Sequence, residues 1–327
     1  MSAILVTGAA GYIGSQALRV FAELGRPLIA LDDFSTGNRW AIPPEISVFE
    51  GDFVDHELLS AIQAKIPFDT IIHFAAKTSV AESVSRPELY ERENFEKTRR
   101  LGEIAQSFGV RSFIFSSTCA VYGATERARV SEATPTRPDS PYGSTKLAAE
   151  RALFSMPPSS RMKVSALRYF NVAGASPEED LGQANEKVQS LVSLCAEAAA
   201  GKRSEIVVHG TDYPTLDGTG VRDYIHVVDL ARAHLDVLRW LEQDGNSEIF
   251  NCGYGRPFSV REVITAMEAV SGKKISVRSG PRRTGDIPAI YADSSKIRRL
   301  TDWSPKYDDL REICRSAYVW ELKRPRT

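Results

Sequence analysis

Tyr142 and Lys146 stand four residues apart in the run Ser140-Pro141-Tyr142-Gly143-Ser144-Thr145-Lys146. Ser140 suits a helix N-cap and Pro141 the first helical position, so the run predicts one helix with both side chains on the same face. A free phenol ionises near pH ~10. A neighbouring ammonium favours the phenolate, as does a positively charged nicotinamide ring, and both move the phenol toward use as a general base. Alone, such a pair reads first as a surface Tyr and a solvated Lys; behind a glycine-rich nucleotide site the balance reverses. Ser116-Ser117-Thr118 adds a hydroxyl at the end of an upstream strand, placed to hydrogen-bond the same substrate oxygen. The histidines His56, His73, His209, His226 and His234 share no ligand spacing, and no metal site is expected.

A glycine-rich segment precedes these residues. Val6-Thr7-Gly8-Ala9-Ala10-Gly11-Tyr12-Ile13-Gly14 spaces Gly8, Gly11 and Gly14 as G-x-x-G-x-x-G between a first strand and a first helix. Glycine is needed where the backbone turns tightly, approaches a pyrophosphate, or brings helix against strand, and the helix N-terminus offers free N–H groups to phosphate. The second strand ends in Asp32, 18 residues beyond Gly14, where a carboxylate can accept both adenosine ribose hydroxyls. With Asp33 beside it a 2′-phosphate would be repelled, which favours NAD. A carboxylate at a strand end also serves as an ordinary cap. The third strand ends in Gly51-Asp52, placed to meet the adenine edge.

The elements that must hold these residues alternate. Strands are expected at Ala3 to Thr7, Pro27 to Leu31, Ile46 to Phe49, Thr70 to Phe74, Ser112 to Ser116 and Val164 to Leu167. Helices are expected at Ile13 to Leu24, Glu57 to Lys65, Glu91 to Phe108 and after Pro141. Short apolar strands separated by helices call for a parallel sheet covered on both faces, because crossovers are right-handed. The fold class is α/β: a Rossmann-type doubly wound parallel sheet with a smaller C-terminal substrate-binding lobe. Residues 1–170 form the first domain, to which the chain is expected to return at 223–252, and 171–222 with 253–327 form mainly the lobe.

With 41 Lys plus Arg against 42 Asp plus Glu, the net charge is -1, and no overall basic field exists to bind nucleic acid or acidic membranes. The basic tail Lys323-Arg324-Pro325-Arg326 reads as a solvated chain end. Cys119, Cys195, Cys252 and Cys314 are at least 57 positions apart, which suits a reducing compartment rather than a zinc knuckle or disulfide framework. No stretch approaches the roughly 18 consecutive apolar residues of a membrane span. The N-terminus runs straight into a strand without a cleavage signal. A cytoplasmic location is expected.

At this point the sequence resembles the extended short-chain dehydrogenase/reductase superfamily and, within it, the UDP-glucose 4-epimerase family, over nearly the whole chain. The segments that carry the resemblance are Val6 to Ser15, His73-Phe74-Ala75-Ala76, Ser116 to Gly123, Arg168-Tyr169-Phe170-Asn171, Asp217 to His226 and Gly285-Asp286. The resemblance implies that Tyr12 and Ile13 touch the pyrophosphate of NAD. Asp32, Asp33, Phe34, Ser35, Thr36 and Gly37 would surround the adenosine ribose, Asp52 and Phe53 the adenine. Phe74, Ala75, Ala76, Thr78 and Asn94 would line the cofactor, and Thr118, Tyr142, Lys146 and Phe170 the nicotinamide and sugar. Asn171, Arg222, Arg283 and Asp286 match positions that bind a UDP-sugar, the arginines suiting a diphosphate. Tyr142 would take the proton from sugar O4 while hydride leaves C4 for NAD, giving a transient 4-keto sugar that turns over and is reduced on its other face. A homodimer is implied through helices near Glu91 to Phe108 and Leu147 to Phe154. Galactose metabolism is the implied setting.

Departures from the family pattern lie at the substrate end. Ser190-Leu191-Val192-Ser193 falls where the family has Asn-Leu or His-Leu followed by Ile/Met-Pro, so a polar nucleotide contact (at Ser190) and a proline (at Ser193) are altered, and His209 takes the place of an aromatic near the uracil. The residue facing the sugar C2 substituent aligns with Ile290, or with Tyr291 after a one-residue slip; Ile there would admit N-acetyl sugars. Cys119-Ala120 stands where the related 4,6-dehydratases carry Asp-Glu, which disfavours dehydration. The expected reaction is interconversion of UDP-galactose and UDP-glucose. Alternatives are a 4-epimerase of another UDP-sugar (N-acetylhexosamine, pentose or uronic acid) and a noncatalytic NAD-binding sensor.

Overall fold

The computed structural model describes residues 2–157, 161–184, 190–283 and 285–325. Arg326 of the basic tail lies outside them. Seven parallel strands form the main sheet, in the order Glu248–Cys252, Lys163–Tyr169, Ser112–Thr118, Phe68–His73, Ala3–Thr7, Leu28–Asp32 and Ser47–Glu50. Strand residues alternate between two cores. Ile4 and Val6 join the larger cluster, on the side of helices Tyr12–Phe21 and Val227–Glu242. Ala3 and Leu5 join the cluster on the side of helices His56–Lys65, Lys97–Ser107 and Pro141–Phe154. A sheet apolar on both faces needs cover on both, which is why its strands read as continuous apolar runs.

The order reverses at Ala3–Thr7, whose two neighbours are Leu28–Asp32 and Phe68–His73. Chains leave these strands in opposite directions, which opens a crevice beyond their carboxyl ends. Gly8 and Phe74 mark its floor: Gly8 N–H donates to the Leu31 carbonyl at 3.0 Å and Phe74 N–H to the Thr7 carbonyl at 3.0 Å.

A second sheet has five strands: Pro257–Ser259, Val221–His226, Ala289–Ala292 and Arg129–Val130, with Asn171–Ala173 paired to Val221–His226. This corrects the expected return at 223. Val221–His226 belongs to the second sheet, and the chain re-enters the first layer only with Val227–Glu242 and Glu248–Cys252. The strand pairs with segments distant in sequence, a partner choice that local pattern does not specify. The helix expected from Glu91 to Phe108 is broken in character: Pro87–Tyr90 is α, Glu91–Glu96 is a π-turn and Lys97–Ser107 is α again. Such bulges re-aim side chains and cluster at functional sites.

The helix Pro141–Phe154 is tied to the sheet by a buried ion pair. Arg168 Nε and Nη2 donate to both Glu150 oxygens, at 2.9 and 2.5 Å, and Ser117 Oγ donates to the same carboxylate. Arg168 Nη1 donates to Tyr122 Oη at 3.2 Å, which donates to Asn251 Oδ1 at 2.6 Å, and Asn251 Nδ2 donates to the Val130 carbonyl at 2.9 Å. The chain of bonds therefore runs from this helix to the second sheet. Replacing Glu150 by Gln leaves the Arg168 charge buried and unpaired, which costs about 3–5 kcal/mol. We expect Glu150→Gln to lower the unfolding temperature by many degrees and Glu150→Gln with Arg168→Met to recover much of that loss; an unshifted single-variant melt would show the pair to be dispensable.

Candidate active site

Side chains and backbone from both sheets enclose a cleft of about 660 Å³ at the strand-order reversal. Its wall includes Gly8, Gly11, Tyr12, Ile13, Gly14, Asp32, Asp33, Ser35, Thr36, Gly37, Asp52, Phe53, Phe74, Ala75, Ala76, Thr78, Tyr142, Phe170, Asn171 and Ser190. Twenty of the residues singled out from sequence thus meet on one surface. Gly8 has φ +67°, and a Cβ there would lie 2.5 Å from the Ala75 nitrogen, so no other residue lets the first strand pass so close to the fourth.

The helix Tyr12–Phe21 opens on the cleft with Gly11 at its N-cap, without a side-chain cap and without an acidic residue in its first turn. The helices beginning at His56, Pro141, Leu191 and Val260 are capped by the side chains of Asp55, Ser140, Ser190 and Ser259. A bare N-terminus in a cleft leaves N–H donors and the positive end of the helix dipole for a diphosphate. Asp32 is 8% exposed; its carboxylate accepts from Ala10 N–H at 2.9 Å and Phe34 N–H at 2.8 Å, which fixes its rotamer beside the glycine turn. Burial pushes its pKa up, against these two backbone bonds, and Asp33 pushes the same way. Uncapped helix, glycine turn and oriented carboxylate together fit NAD, and no basic side chain is hydrogen-bonded to Asp32 among the described residues.

Tyr142 lies at the floor, 8% exposed, its ring edge-on to Tyr90 at 6.4 Å. The Thr118 hydroxyl, which accepts from Ala120 N–H at 3.1 Å, lies beside its phenol and favours the phenolate. Gly143 lets the helix seat against the Thr118 turn, since a Cβ there would meet the Ala120 carbonyl at 2.5 Å. Lys146 is 2% exposed; its Nζ donates to the Ser116 carbonyl at 2.9 Å and stands 4.7 Å from the centre of the Phe115 ring. Burial pushes the ammonium down to about 7, and Glu150, one turn further on, opposes that. Burial also drives the Tyr142 phenol well above its ordinary value, with Tyr169 adding to the rise and the Thr118 hydroxyl opposing it. Within the chain alone burial outweighs the groups around the phenol, whereas the sequence expectation counts the positive nicotinamide ring together with Lys146.

Several residues expected at the site stand behind or beside the cleft wall. Asn94, carried on the π-turn, accepts from Lys77 N–H at 2.8 Å through Oδ1 and donates to the Lys77 carbonyl at 2.9 Å through Nδ2, holding the loop that lines the cleft. The Phe34 ring carries the Arg39 guanidinium at 4.2 Å. Leu191 packs against the main core. Arg222 Nη1 donates to its neighbour's carbonyl, Val221, at 2.9 Å, and Arg283 Nε donates to Asp286 at 2.9 Å, so these two expected substrate residues pair with each other. His209 Nδ1 lies 3.2 Å from the Pro281 carbonyl. Ile290 is 3% exposed in a small cluster with Tyr122, Leu147 and Phe170. Tyr291 points to the opposite face of that strand, as alternation requires, so Ile290 is the side chain turned toward Phe170.

Sequence reasoning missed Lys97, Glu93, Trp40 and Gln183, all on the wall. Lys97 pairs with Asp52 at 2.8 Å and Glu93 at 2.6 Å. The Lys97–Glu93 spacing was a helical i,i+4 signal, but only the fold brings Asp52 to it.

The sheet order, the glycine turn and the cleft define a doubly wound α/β protein of the dinucleotide-binding class. Residues 4–253 match the NAD dependent epimerase/dehydratase family, and the chain belongs to that family. It is 43% identical over 318 residues to the UDP-glucose 4-epimerase of Azospirillum brasilense, covering 97% of this chain and 91% of that protein. The crystal structure of UDP-glucose 4-epimerase from Brucella ovis in complex with NAD superposes with a TM-score of 0.94 at 36% identity, covering 98% of this chain and 99% of that one. The UDP-Glc/GlcNAc 4-epimerase of Campylobacter jejuni has a TM-score of 0.84 at 44% identity, covering 99% and 100%.

His73, beneath the site, is held between the hydroxyls of Thr7 (2.6 Å) and Thr98 (3.0 Å). Burial pushes it down to about 3, and His226 and His234 down to about 4. The unfolded chain takes up protons below pH ~6.5 that these folded histidines refuse, so their stabilisation is complete above that pH and declines as pH falls toward 4. The expected loss is about 1 kcal/mol per histidine at pH 5.5 relative to pH 8. Urea midpoints at the two pH values check this; equal midpoints would mean that the folded protein accepts the protons.

Proposed function

We propose that the protein is an isomerase, an NAD-dependent 4-epimerase that interconverts UDP-galactose and UDP-glucose through a transient 4-keto sugar. The observation that carries this reading is the buried Tyr142 phenol, beside the Thr118 hydroxyl and one helical turn from Lys146, on the wall of a cleft with a bare helix N-terminus. Gly8, Gly11, Tyr12, Ile13 and Gly14 would hold the diphosphate of NAD, Asp32 to Gly37 the ribose, and Asp52 with Phe53 the adenine. When bound, NAD supplies the redox chemistry at the sugar C4 that no side chain offers.

The chain's own part is proton handling and orientation. Tyr142 takes the proton from the sugar O4 and later returns it. Thr118 would steady the same sugar oxygen, and Lys146 would hold the phenolate and the nicotinamide ribose. Burial opposes the phenolate, and positive charge in the cleft, from the Lys146 ammonium and the cationic ring of oxidised NAD, would favour it. Cys119 and Ala120 follow Thr118, so no acid–base pair stands there to eliminate water. Asn171, Ser190, Arg222, Arg283 and Asp286 would hold the UDP-sugar, the last pair opening to do so. Residues 1–170 with 227–252 would act as the NAD domain and most of the remainder as the substrate lobe. The same reading makes the protein a cytoplasmic homodimer of galactose metabolism.

The purified protein supplied with NAD should convert UDP-galactose to UDP-glucose without added reductant; no conversion in the presence of bound NAD would overturn the reading. Tyr142→Phe should lower turnover by at least ~10²-fold while UDP-sugar binding persists, and near-normal turnover would remove Tyr142 from its role. A second substrate reading follows from Ile290, smaller than Tyr and turned toward Phe170. It supports turnover of UDP-N-acetylgalactosamine alongside UDP-galactose; complete exclusion of the N-acetyl sugar would contradict a permissive pocket.

A further inference from the structure

Trp40 presents a large apolar ring at 43% exposure, and it lines the cleft at the end bounded by Asp32, Gly37 and Asn38. It belongs to the short turn Arg39–Ala41, which is well fixed. Arg39 lies over the Phe34 ring and forms an ion pair with Glu50, and Asn38 N–H donates to the Ala10 carbonyl at 3.0 Å, joining the turn to the glycine-rich segment. Beside the cleft the Trp40 ring meets Trp320, with centroids 5.8 Å apart and planes at 33°.

Trp320 comes from the C-terminal helix Leu310–Lys323 and is only 3% exposed. Its Nε1 donates to the Gln183 carbonyl at 3.0 Å, and its ring fills the space a Cβ on Gly182 would occupy, at 2.5 Å. Gly182 and Gln183 line the same cleft. The two indoles therefore join the loop after the second strand to the far wall, through a ring anchored in the C-terminal helix. A flat ligand seated on the remaining exposed face of Trp40 would bury further aromatic surface and add a stacking contact.

We propose that Trp40 is a cofactor-binding residue that, clasped to Trp320, retains the adenosine end of NAD by slowing its release. The inference rests on the NAD reading above and adds to it a kinetic consequence: a reaction with no net redox change has no use for cofactor exchange, and a clasp acts on the rate of leaving more than on the rate of entry.

The test loads the whole protein and its Trp40→Ala and Trp40→Phe variants with NAD, dilutes them into cofactor-free buffer, and measures remaining bound NAD against time. Intrinsic fluorescence is followed in parallel. Release should be at least ~10-fold faster from Trp40→Ala, with Trp40→Phe between the two. Binding of NAD should quench tryptophan emission in the parent, and most of that quench should vanish in Trp40→Phe. Equal release rates in parent and Trp40→Ala, with matching melting temperatures, would overturn the clasp and leave the NAD reading intact. A parent protein that binds no NAD at all would overturn both.

Discussion

The bidentate contact between Glu150 and Arg168 is the interaction on which the rest of the site depends. Three ionisable side chains, Tyr142, Lys146 and Glu150, follow one another at one-turn intervals along a single buried helix, and each would be costly to bury alone. Glu150 is neutralised by Arg168 from the adjacent strand, and the residual negative field partly offsets the desolvation of Lys146. The same arginine continues through Tyr122 and Asn251 to the second sheet. One polar chain thus fixes the rotation of the helix, the charge behind the phenol and the approach of the lobe that would carry the sugar. Such a chain specifies a unique arrangement only because every member finds a partner.

The opposite end of the cleft is organised by backbone instead of charge. The sheet reverses its strand order at the first strand, the glycine turn lets that strand approach the fourth, and the first helix starts without a cap. The resulting donors are unpaired by side chains and point into the cleft. Charge at the proton-handling end and free N–H groups at the anion-binding end make one cleft serve two tasks. Under the proposed reading, retention of an anionic dinucleotide and titration of the phenol would be coupled, since burial pushes the phenol up and a cation beside it would push it down.

Much of this was legible in the sequence because it is local. The Gly8-Gly11-Gly14 spacing, Asp32 at the end of the second strand, and the Ser140-Pro141-Tyr142 helix start are each written within a few residues, and the structure assembles them on one wall. What was not legible depends on distant pairing. The second sheet draws two- to six-residue strands from five separate stretches, so Val221–His226 was read as re-entering the first domain. The π-turn at Glu91–Glu96 leaves no mark in the apolar periodicity, yet it turns Asn94 onto Lys77 and Glu93 toward Lys97. The burial around Tyr142 was not legible for a similar reason: a neighbouring ammonium can be read from spacing, whereas the depth of burial that opposes the phenolate cannot. Trp40 and Trp320 are 280 positions apart and carry no motif.

The central claim is that the sugar C4 is oxidised and reduced again within one protein molecule, with no net redox change. The most direct measurement follows UDP-galactose labelled with deuterium at C4 through turnover in the presence of excess unlabelled cofactor. The account predicts UDP-glucose with the deuterium still at C4, on the inverted centre, and no label in the free cofactor pool. Product that has lost the label to solvent or to free cofactor, or steady accumulation of reduced cofactor in solution, would contradict it.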